Sequence, residues 1–410
     1  MHYKDKEIEC LIETFRNLAA QPFSRRVKSP ILFSREESIS KKTIDMLPEP
    51  TFIEDIQLFC DKFLVLTRTG GVWLIGGNAA RGITQMTQLK IVGLLSKIIQ
   101  ISVSHLMRLG RMSSSSLMVL TECGQVARVN LDPQNVVIKV VPIKGILERV
   151  SMLNSSGYAD FLITESGKIY FNLNSDDLDT VFTPYRLQKT GEAIEYRICA
   201  AMAKGETIIA ISQPNSTDMT PQKLLHFSLN NLTESRTISH FKIEPFPFAS
   251  EEEIRNIVLM KATPGYGLLH TSDGLWECGS PPILSVPPAG GSYMKIESSR
   301  LRALGITGDV LQIAGEVEQG VFHMETGILV LMTTTGQLWA HLHSYPLPIP
   351  VAMSYVLLEG FGEPSFIVDR LWVFSTYIIA RSCDGRLAFT DLMPLLQARE
   401  IHWHVFRLDL

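Results

Sequence analysis

Much that would define a function outright is missing from this sequence of 410 residues. The six cysteines, Cys10, Cys60, Cys123, Cys199, Cys278 and Cys383, lie far apart without a C-x-x-C pair. That spacing excludes a zinc ribbon and a compact disulfide framework, and leaves reduced, mostly buried thiols as the expectation. No apolar run approaches the ~18 residues of a membrane span, and the first residues, Met1 to Glu7, lack the apolar core of a signal peptide. An intracellular protein without a membrane span is expected, so the glycosylation sequons at Asn154, Asn215 and Asn231 carry no weight. Basic residues are not in excess: 38 Lys and Arg stand against 42 Asp and Glu, a net charge of −4. Direct binding of nucleic acid, which calls for clustered cations, is therefore not expected.

Catalytic signatures are absent too. Neither Gly-x-Ser-x-Gly nor His-Glu-x-x-His occurs. The segment Gly77 to Gly82 has the glycine spacing of a phosphate loop, but Ile83 and Thr84 follow it in place of the Lys-Ser/Thr pair that would hold phosphate charge. His341 with His343, and His402 with His404, each put two imidazoles on one strand face, half of a metal site with no third ligand to complete it. No catalytic residue, metal or cofactor is expected.

What the chain does contain is a repeat. Phe63 to Ile75 is an apolar run, a short polar turn with a glycine, and a second run of large residues, and the pattern returns six times. The turn glycines Gly70, Gly124, Gly167, Gly274, Gly336 and Gly385 stand about fifty residues apart, with one interval spanning two copies. The fourth copy, Thr207 to Phe227, has a longer tip from Pro214 to Pro221 where the others have glycine. β-Branched and aromatic residues around a glycine turn make each copy a β-hairpin. A further apolar segment precedes most hairpins, as at 97–103, 196–201, 254–259 and 310–315, which brings each unit to about four strands, the content of a propeller blade. Tandem sandwiches would show closely spaced turns without one long unit repeated in order.

The first copy, Leu66-Thr67-Arg68-Thr69-Gly70-Gly71-Val72-Trp73 followed by Gly77-Asn78, resembles the repeat of the regulator of chromosome condensation family. Trp276 with Gly279, and Trp339, keep parts of it. The resemblance covers roughly residues 52–395. It implies an all-β, seven-bladed β-propeller, and among its family's activities guanine nucleotide exchange on a Ran-type small GTPase.

Residues 1–50 are expected to form an N-terminal amphipathic helix and linker, and 51–410 the propeller. Ile8, Leu11, Ile12, Phe15 and Leu18 fall at helical spacing within 4–18. The alternating stretch Ile401 to Leu408 is expected to complete the first blade and so join both chain ends. Loops on a rigid scaffold carry most binding. The expected partner-binding positions are Pro214, Asn215 and Asp218 on the fourth tip, and Asp176, Asp177 and Asp179 in an acidic stretch that is either a solvated loop or a dock for a basic partner. The function expected is a non-catalytic protein-protein interaction scaffold, with a small GTPase exchange factor as the alternative.

Overall fold

In the computed structural model the described residues run from 52 to 406, interrupted most extensively at 130–136, 173–180, 189–194, 213–222, 246–253, 261–265, 279–293, 320–324, 346–355, 359–365 and 392–400. The expected N-terminal helix lies outside them.

The described chain is almost entirely β and forms seven sheets in chain order. Sheet 1 is Ile53–Phe59, Lys62–Thr67, Val72–Asn78 and Ile83–Gln88; sheet 2 is Ile98–Arg108, Arg111–Thr121, Val126–Val129 and Val137–Pro142. Sheet 3 is Val150–Ser155, Asp160–Thr164, Ile169–Asn172 and Thr183–Gln188; sheet 4 is Ile198–Lys204, Thr207–Ser212, Lys223–Ser228 and Lys242–Pro245. Sheet 5 is Ile254–Met260, Tyr266–Thr271, Gly274–Cys278 and Met294–Lys295; sheet 6 is Val310–Gln319, Glu325–Thr333, Leu338–Tyr345 and Val356–Leu358; sheet 7 is Val368–Phe374, Tyr377–Ser382, Leu387–Asp391 and His404–Phe406. Each of these four-strand sets is an antiparallel meander. Two short strands clasp neighbours in parallel: Lys90–Val92, which follows sheet 1, pairs with the outer strand of sheet 2, and Thr237–Ile238, from sheet 4, pairs with that of sheet 3. The expectation for the C-terminus is corrected here. His404–Phe406 pairs with Leu387–Asp391 in the seventh sheet, because the first sheet already has its fourth strand in Ile83–Gln88 and offers no vacancy.

The second strands explain why the repeats read as apolar runs rather than as alternating patterns. A strand buried on both faces has no polar side to show. Leu64 and Leu66 pack with Ile101, Leu117 and Val119 of sheet 2, whereas Phe63 and Val65 pack with Trp372, Ile379 and Phe389 of sheet 7. Sheet 2 turns Met118 and Leu120 toward Leu153 and Leu162 of sheet 3, and Phe161 and Phe171 of sheet 3 meet Ile208 and Phe227 of sheet 4. Val330 and Met332 of sheet 6 pack on Leu371 and Ile378 of sheet 7. The core therefore lies between sheets, and each of these side chains contributes about 1.5–3 kcal/mol by leaving water.

The hairpin turns share one construction. The backbone N–H of Thr67, Thr121, Thr164 and Thr333 donates to the carbonyl four residues on, and the hydroxyl of each accepts the N–H of that same residue. All four threonines are buried. The glycine one place before that residue has φ between 77° and 86°, a conformation that favours glycine over residues with a Cβ. Sheet 7 uses Ser382 and Gly385 in the same places. In sheet 4, which lacks the glycine, the buried Ser212 hydroxyl accepts the Lys223 N–H at 2.8 Å across the long tip.

Charge crosses one of these cores. Arg128 of sheet 2 and Asp160 of sheet 3 form an ion pair in which both residues are buried, and the Ser155 hydroxyl donates to the second carboxylate oxygen at 2.7 Å. Removing one partner of such a pair leaves the other as an uncompensated buried charge, whereas replacing both with apolar groups is often neutral. Arg128→Met is expected to cost about 3–5 kcal/mol in chemical denaturation, and the double variant Arg128→Met/Asp160→Leu to recover most of it. Thr164→Val, which removes a buried acceptor from the turn, is expected to cost about 1–3 kcal/mol, with Thr164→Ser near the parent, read from denaturation midpoints.

Candidate functional site

The end of the sheets that carries these turns has a second repeated device. In all seven sheets the first strand shifts register by one residue at its beginning, as between Ile53 and Asp55, Ile98 and Gln100, Val150 and Met152, and Val310 and Gln312. A bulge leaves one residue unpaired and re-aims it. The residues at these positions are Glu54, Ile99, Ser151, Cys199, Arg255, Leu311 and Asp369. The turns are tied to the strand starts: Arg68 N–H donates to Phe52 O, Glu122 N–H to Lys97 O, Glu165 N–H to Arg149 O, Thr334 N–H to Asp309 O and Cys383 N–H to Ile367 O. They also reach the next sheet, where Val150 N–H donates to Gly124 O and Ile198 N–H to Gly167 O. Sheets 2, 3 and 4 are thereby linked at their turn ends.

Between sheets 7, 1 and 2 this face holds a cavity of about 370 Å³ lined by Glu54, Asp55, Arg68, Lys97, Gln100 and Arg370, with Leu66 and Ile98 behind them. Its walls are fastened from both sides. Gln100 spans to sheet 3, donating through Nε2 to Leu153 O at 2.8 Å and accepting Leu153 N–H at 3.2 Å, and Gln312 bridges sheets 6 and 7 in the same way through Leu371. Trp372 Nε1 donates to Asp55 Oδ1 at 3.1 Å, and Arg381 grips Asp369 with two hydrogen bonds while donating a third to Ile53 O. Burial pushes the Asp55 carboxyl above its ordinary pKa, against the hydrogen bonds from Gln57, Trp372 and Ile56. Glu54 is held below its ordinary value. Partial burial would raise it, but the hydrogen bond from Arg68 and the charges of Arg381, Arg68 and Arg370 together prevail. The cavity carries charges of both signs, three cations and two carboxyls, with Arg68 and Arg370 both paired to Glu54.

Exposed apolar residues also stand at the turn ends of the sheets. The large hydrophobic residues Leu95, Ile99, Leu147, Leu311 and Ile367 are all exposed at the turn end, Leu95 at 84% and Leu147 at 98%. Large apolar side chains left in water are a feature that interaction surfaces commonly share. Three cysteines share this face. Cys123 and Cys383 stand exposed in turns, and Cys199 sits at a bulge, where its thiol donates to Ile211 O at 3.4 Å and burial raises its pKa. Cys123 and Cys383 depart from the expectation of mostly buried thiols because hairpin tips face solvent, whereas Cys10, Cys60 and the side chain of Cys278 lie outside the described residues. The Cys123 thiol is lowered to about 7 by hydrogen bonding to Ser96, then to Thr121 and the Gln125 backbone.

The partner-binding residues expected from sequence, Pro214, Asn215, Asp218, Asp176, Asp177 and Asp179, lie outside the described residues. The strand ends that flank the two segments lie at opposite ends of the sheets. Ser212 and Lys223 are at the turn end, whereas Asn172 and Thr183 are at the other. Among the described residues no group of three His, Cys, Asp or Glu stands together as a metal site, and no helix is long and apolar enough to cross a membrane. Sequence reading missed the bulge residues and the two exposed leucines. The signal for the latter was available, since Gly93-Leu94-Leu95-Ser96-Lys97-Ile98 and Gly145-Ile146-Leu147-Glu148-Arg149-Val150 repeat one pattern ahead of successive sheets.

No protein-family model and no curated protein sequence matches the chain. Among solved structures it is similar to yeast RCC1 (Prp20) in the complex with Kap60, with 11% identity and a TM-score of 0.46 over 79% of this chain and 76% of that one. It is also similar to Prp20p of Saccharomyces cerevisiae, described with its binding to Gsp1p and histones, at 10% identity and 0.45 over 79% and 78%. The computationally designed Ika8 protein is matched at 9% identity and 0.43 over 83% and 96%.

Asp55 allows a test of the cavity wall. A carboxyl whose folded pKa is raised favours folding when protonated, so its contribution is greatest below the ordinary value of about 3.9 and falls as pH rises through the raised one. Asp55→Asn keeps the shape and removes the charge, with the Gln57 amide turning over to accept from the new Nδ2. Urea denaturation between about pH 4 and 7 is expected to show the variant at least as stable as the parent near pH 7, its advantage fading as pH falls. A marked loss at pH 7 would mean that the charge itself holds the junction of sheets 1 and 7.

Proposed function

We propose that the chain is a closed seven-bladed propeller that serves as a non-catalytic protein-interaction scaffold, with the turn face as its working surface. Closure is supported by the face-to-face packing of sheets 6, 7, 1, 2, 3 and 4 and by the neighbouring first strands of sheets 5 and 6. Joining sheets 4 and 5 completes a ring in which no apolar sheet face is left in water. The observation that carries the functional reading is the set of exposed apolar residues on the turn face, led by Leu95 and Leu147. The exposed thiols of Cys123 and Cys383 suit a reducing, intracellular setting. The second reading, exchange on a Ran-type small GTPase, follows from the resemblance of the repeats to the regulator of chromosome condensation family.

One capture experiment separates them. The full chain and its Leu95→Asp/Leu147→Asp variant are used to retain proteins from a cell lysate, with and without a metal chelator, and the retained material is then challenged with GTP. Partners that bind regardless of nucleotide and drop at least about tenfold on the variant, a loss of roughly 1.4 kcal/mol, are expected of the scaffold. A small GTPase held only after chelation and released by GTP would establish the exchange reading, since an exchange factor must bind the nucleotide-free form more tightly. Equal retention by parent and variant would remove the turn face from the proposal.

A further inference from the structure

We infer that the cavity between sheets 7, 1 and 2 binds the phosphate group of a small ligand. Such binding goes beyond the scaffold reading and needs no protein partner.

The sign that a mixed set of charges offers to a ligand depends on which groups are already spent. Both carboxyls of the cavity are. Asp55 accepts from Ile56 N–H at 2.9 Å, Gln57 Nε2 at 2.9 Å and Trp372 Nε1 at 3.1 Å. Glu54 accepts Arg68 Nε at 2.7 Å through one oxygen and turns the other toward Arg370. The cations are less occupied. Arg370 stops with Nη1 3.6 Å from Glu54, beyond hydrogen-bonding reach, and Lys97 makes no side-chain hydrogen bond or ion pair among the described residues. The guanidinium fork of Arg370 and the ammonium of Lys97 therefore keep donors for a ligand, and the surplus charge at the cavity is positive. Glu54 responds to that surplus: partial burial would raise its pKa, yet the hydrogen bond from Arg68 and the charges of Arg381, Arg68 and Arg370 hold it below the ordinary value.

The cations come from separate elements, and each is positioned. Arg68, in the turn of sheet 1, lies over the Phe52 ring at 4.5 Å, and Arg370, on the first strand of sheet 7, lies over the Trp372 ring at 5.7 Å. The stem of Lys97, which leads into sheet 2, runs against Gly70, where a Cβ would stand 2.6 Å from Lys97 Cγ. Gly70 thus sets the turn and leaves room for the lysine. A phosphate group has an acceptor oxygen for each of the three cations, whereas a carboxylate has one too few. Guanidiniums meet phosphate as planar forks, and a lysine meets it as a point charge. At about 370 Å³ the cavity is too large for a bare phosphate to fill and falls in the range of small-molecule sites, about 300–1,000 Å³. The exposed Ile99 on its wall supplies apolar surface for the group that carries the phosphate.

The test titrates the full chain into inorganic phosphate or O-phosphoserine at pH 7 and follows phosphorus NMR line widths, with sodium chloride holding the ionic strength constant. Saturation at a single site per chain is expected. Arg370→Gln and Lys97→Gln should each weaken binding about tenfold, the loss of a charge-assisted hydrogen bond. Glu54→Gln should tighten it several-fold by releasing both arginines, a change of sign that a damaged fold would not produce. Lys168→Gln, which removes an exposed cation from the turn of sheet 3, should leave it unchanged. Tighter binding of O-phosphoserine would assign the site to a carried phosphate, and tighter binding of inorganic phosphate to the free ion. The inference is overturned if neither ligand saturates, if Lys168→Gln weakens binding as much as Lys97→Gln, if Glu54→Gln weakens it, or if succinate displaces the phosphate at equal concentration. No protein partner enters this titration, so its failure leaves the capture experiment unaffected, and failed capture leaves the titration unaffected.

Discussion

The second strands of sheets 1, 2, 3, 4, 6 and 7 bury apolar side chains on both faces, and that constraint organises the described residues. Leu64 and Leu66 look one way while Phe63 and Val65 look the other, and neither pair can be left in water. A linear stack of such sheets would satisfy every face except the outermost two. Sheets 1 and 7 answer this by sharing a core, with Ile53, Ile56 and Val65 set against Trp372, Ile379 and Phe389. Sequence neighbours and chain ends are thus packed by the same means, and the interface between the most distant parts of the chain is built like the others.

Hydrophobic contact is non-directional and does not by itself choose the register of one sheet on the next. Directional bonds do this. The amide of Gln100 brackets the backbone of Leu153, and the amide of Gln312 brackets that of Leu371, each pinning one first strand to the following one. Arg128 with Asp160 ties the third strand of sheet 2 to the second of sheet 3, and Arg381 with Ile53 O ties the second strand of sheet 7 to the first of sheet 1. A slip of one residue would break two hydrogen bonds at each glutamine and strand a buried charge at each arginine, so a few polar groups set the geometry of a largely apolar interior.

This division also explains what could be read from the sequence. Gly70, Gly124, Gly167, Gly336 and Gly385 announced their turns because a positive φ restricts the residue type, and all five adopt it. The buried threonines were visible for the same reason: the turn needs a hydroxyl, and Ser212 fills the role in the copy that lacks the glycine. The bulges were illegible, since Glu54, Ile99, Ser151, Cys199, Arg255, Leu311 and Asp369 have no chemistry in common and a register shift leaves no compositional trace. The polar locks were hidden by distance, because Gln100 and Leu153 are 53 residues apart and Trp372 and Asp55 are 317. The alternation at 401–408 signalled a strand correctly but could not say which sheet had room for it.

The construction of the turn bears on where function can reside. A buried hydroxyl and a glycine fix the backbone, which frees the two residues between them to vary. These are Arg68 and Thr69 in sheet 1, Glu122 and Cys123 in sheet 2, Glu165 and Ser166 in sheet 3, Thr334 and Thr335 in sheet 6, and Cys383 and Asp384 in sheet 7. One scaffold therefore presents a chemically different pair at each sheet. The long tip of the fourth copy grows from the same point, its base closed by the bond between Ser212 and Lys223. Ser212 and Lys223, which flank that tip, stand at the end of the sheet that carries the turns. The roots of the acidic stretch, Asn172 and Thr183, lie at the far end of their sheet.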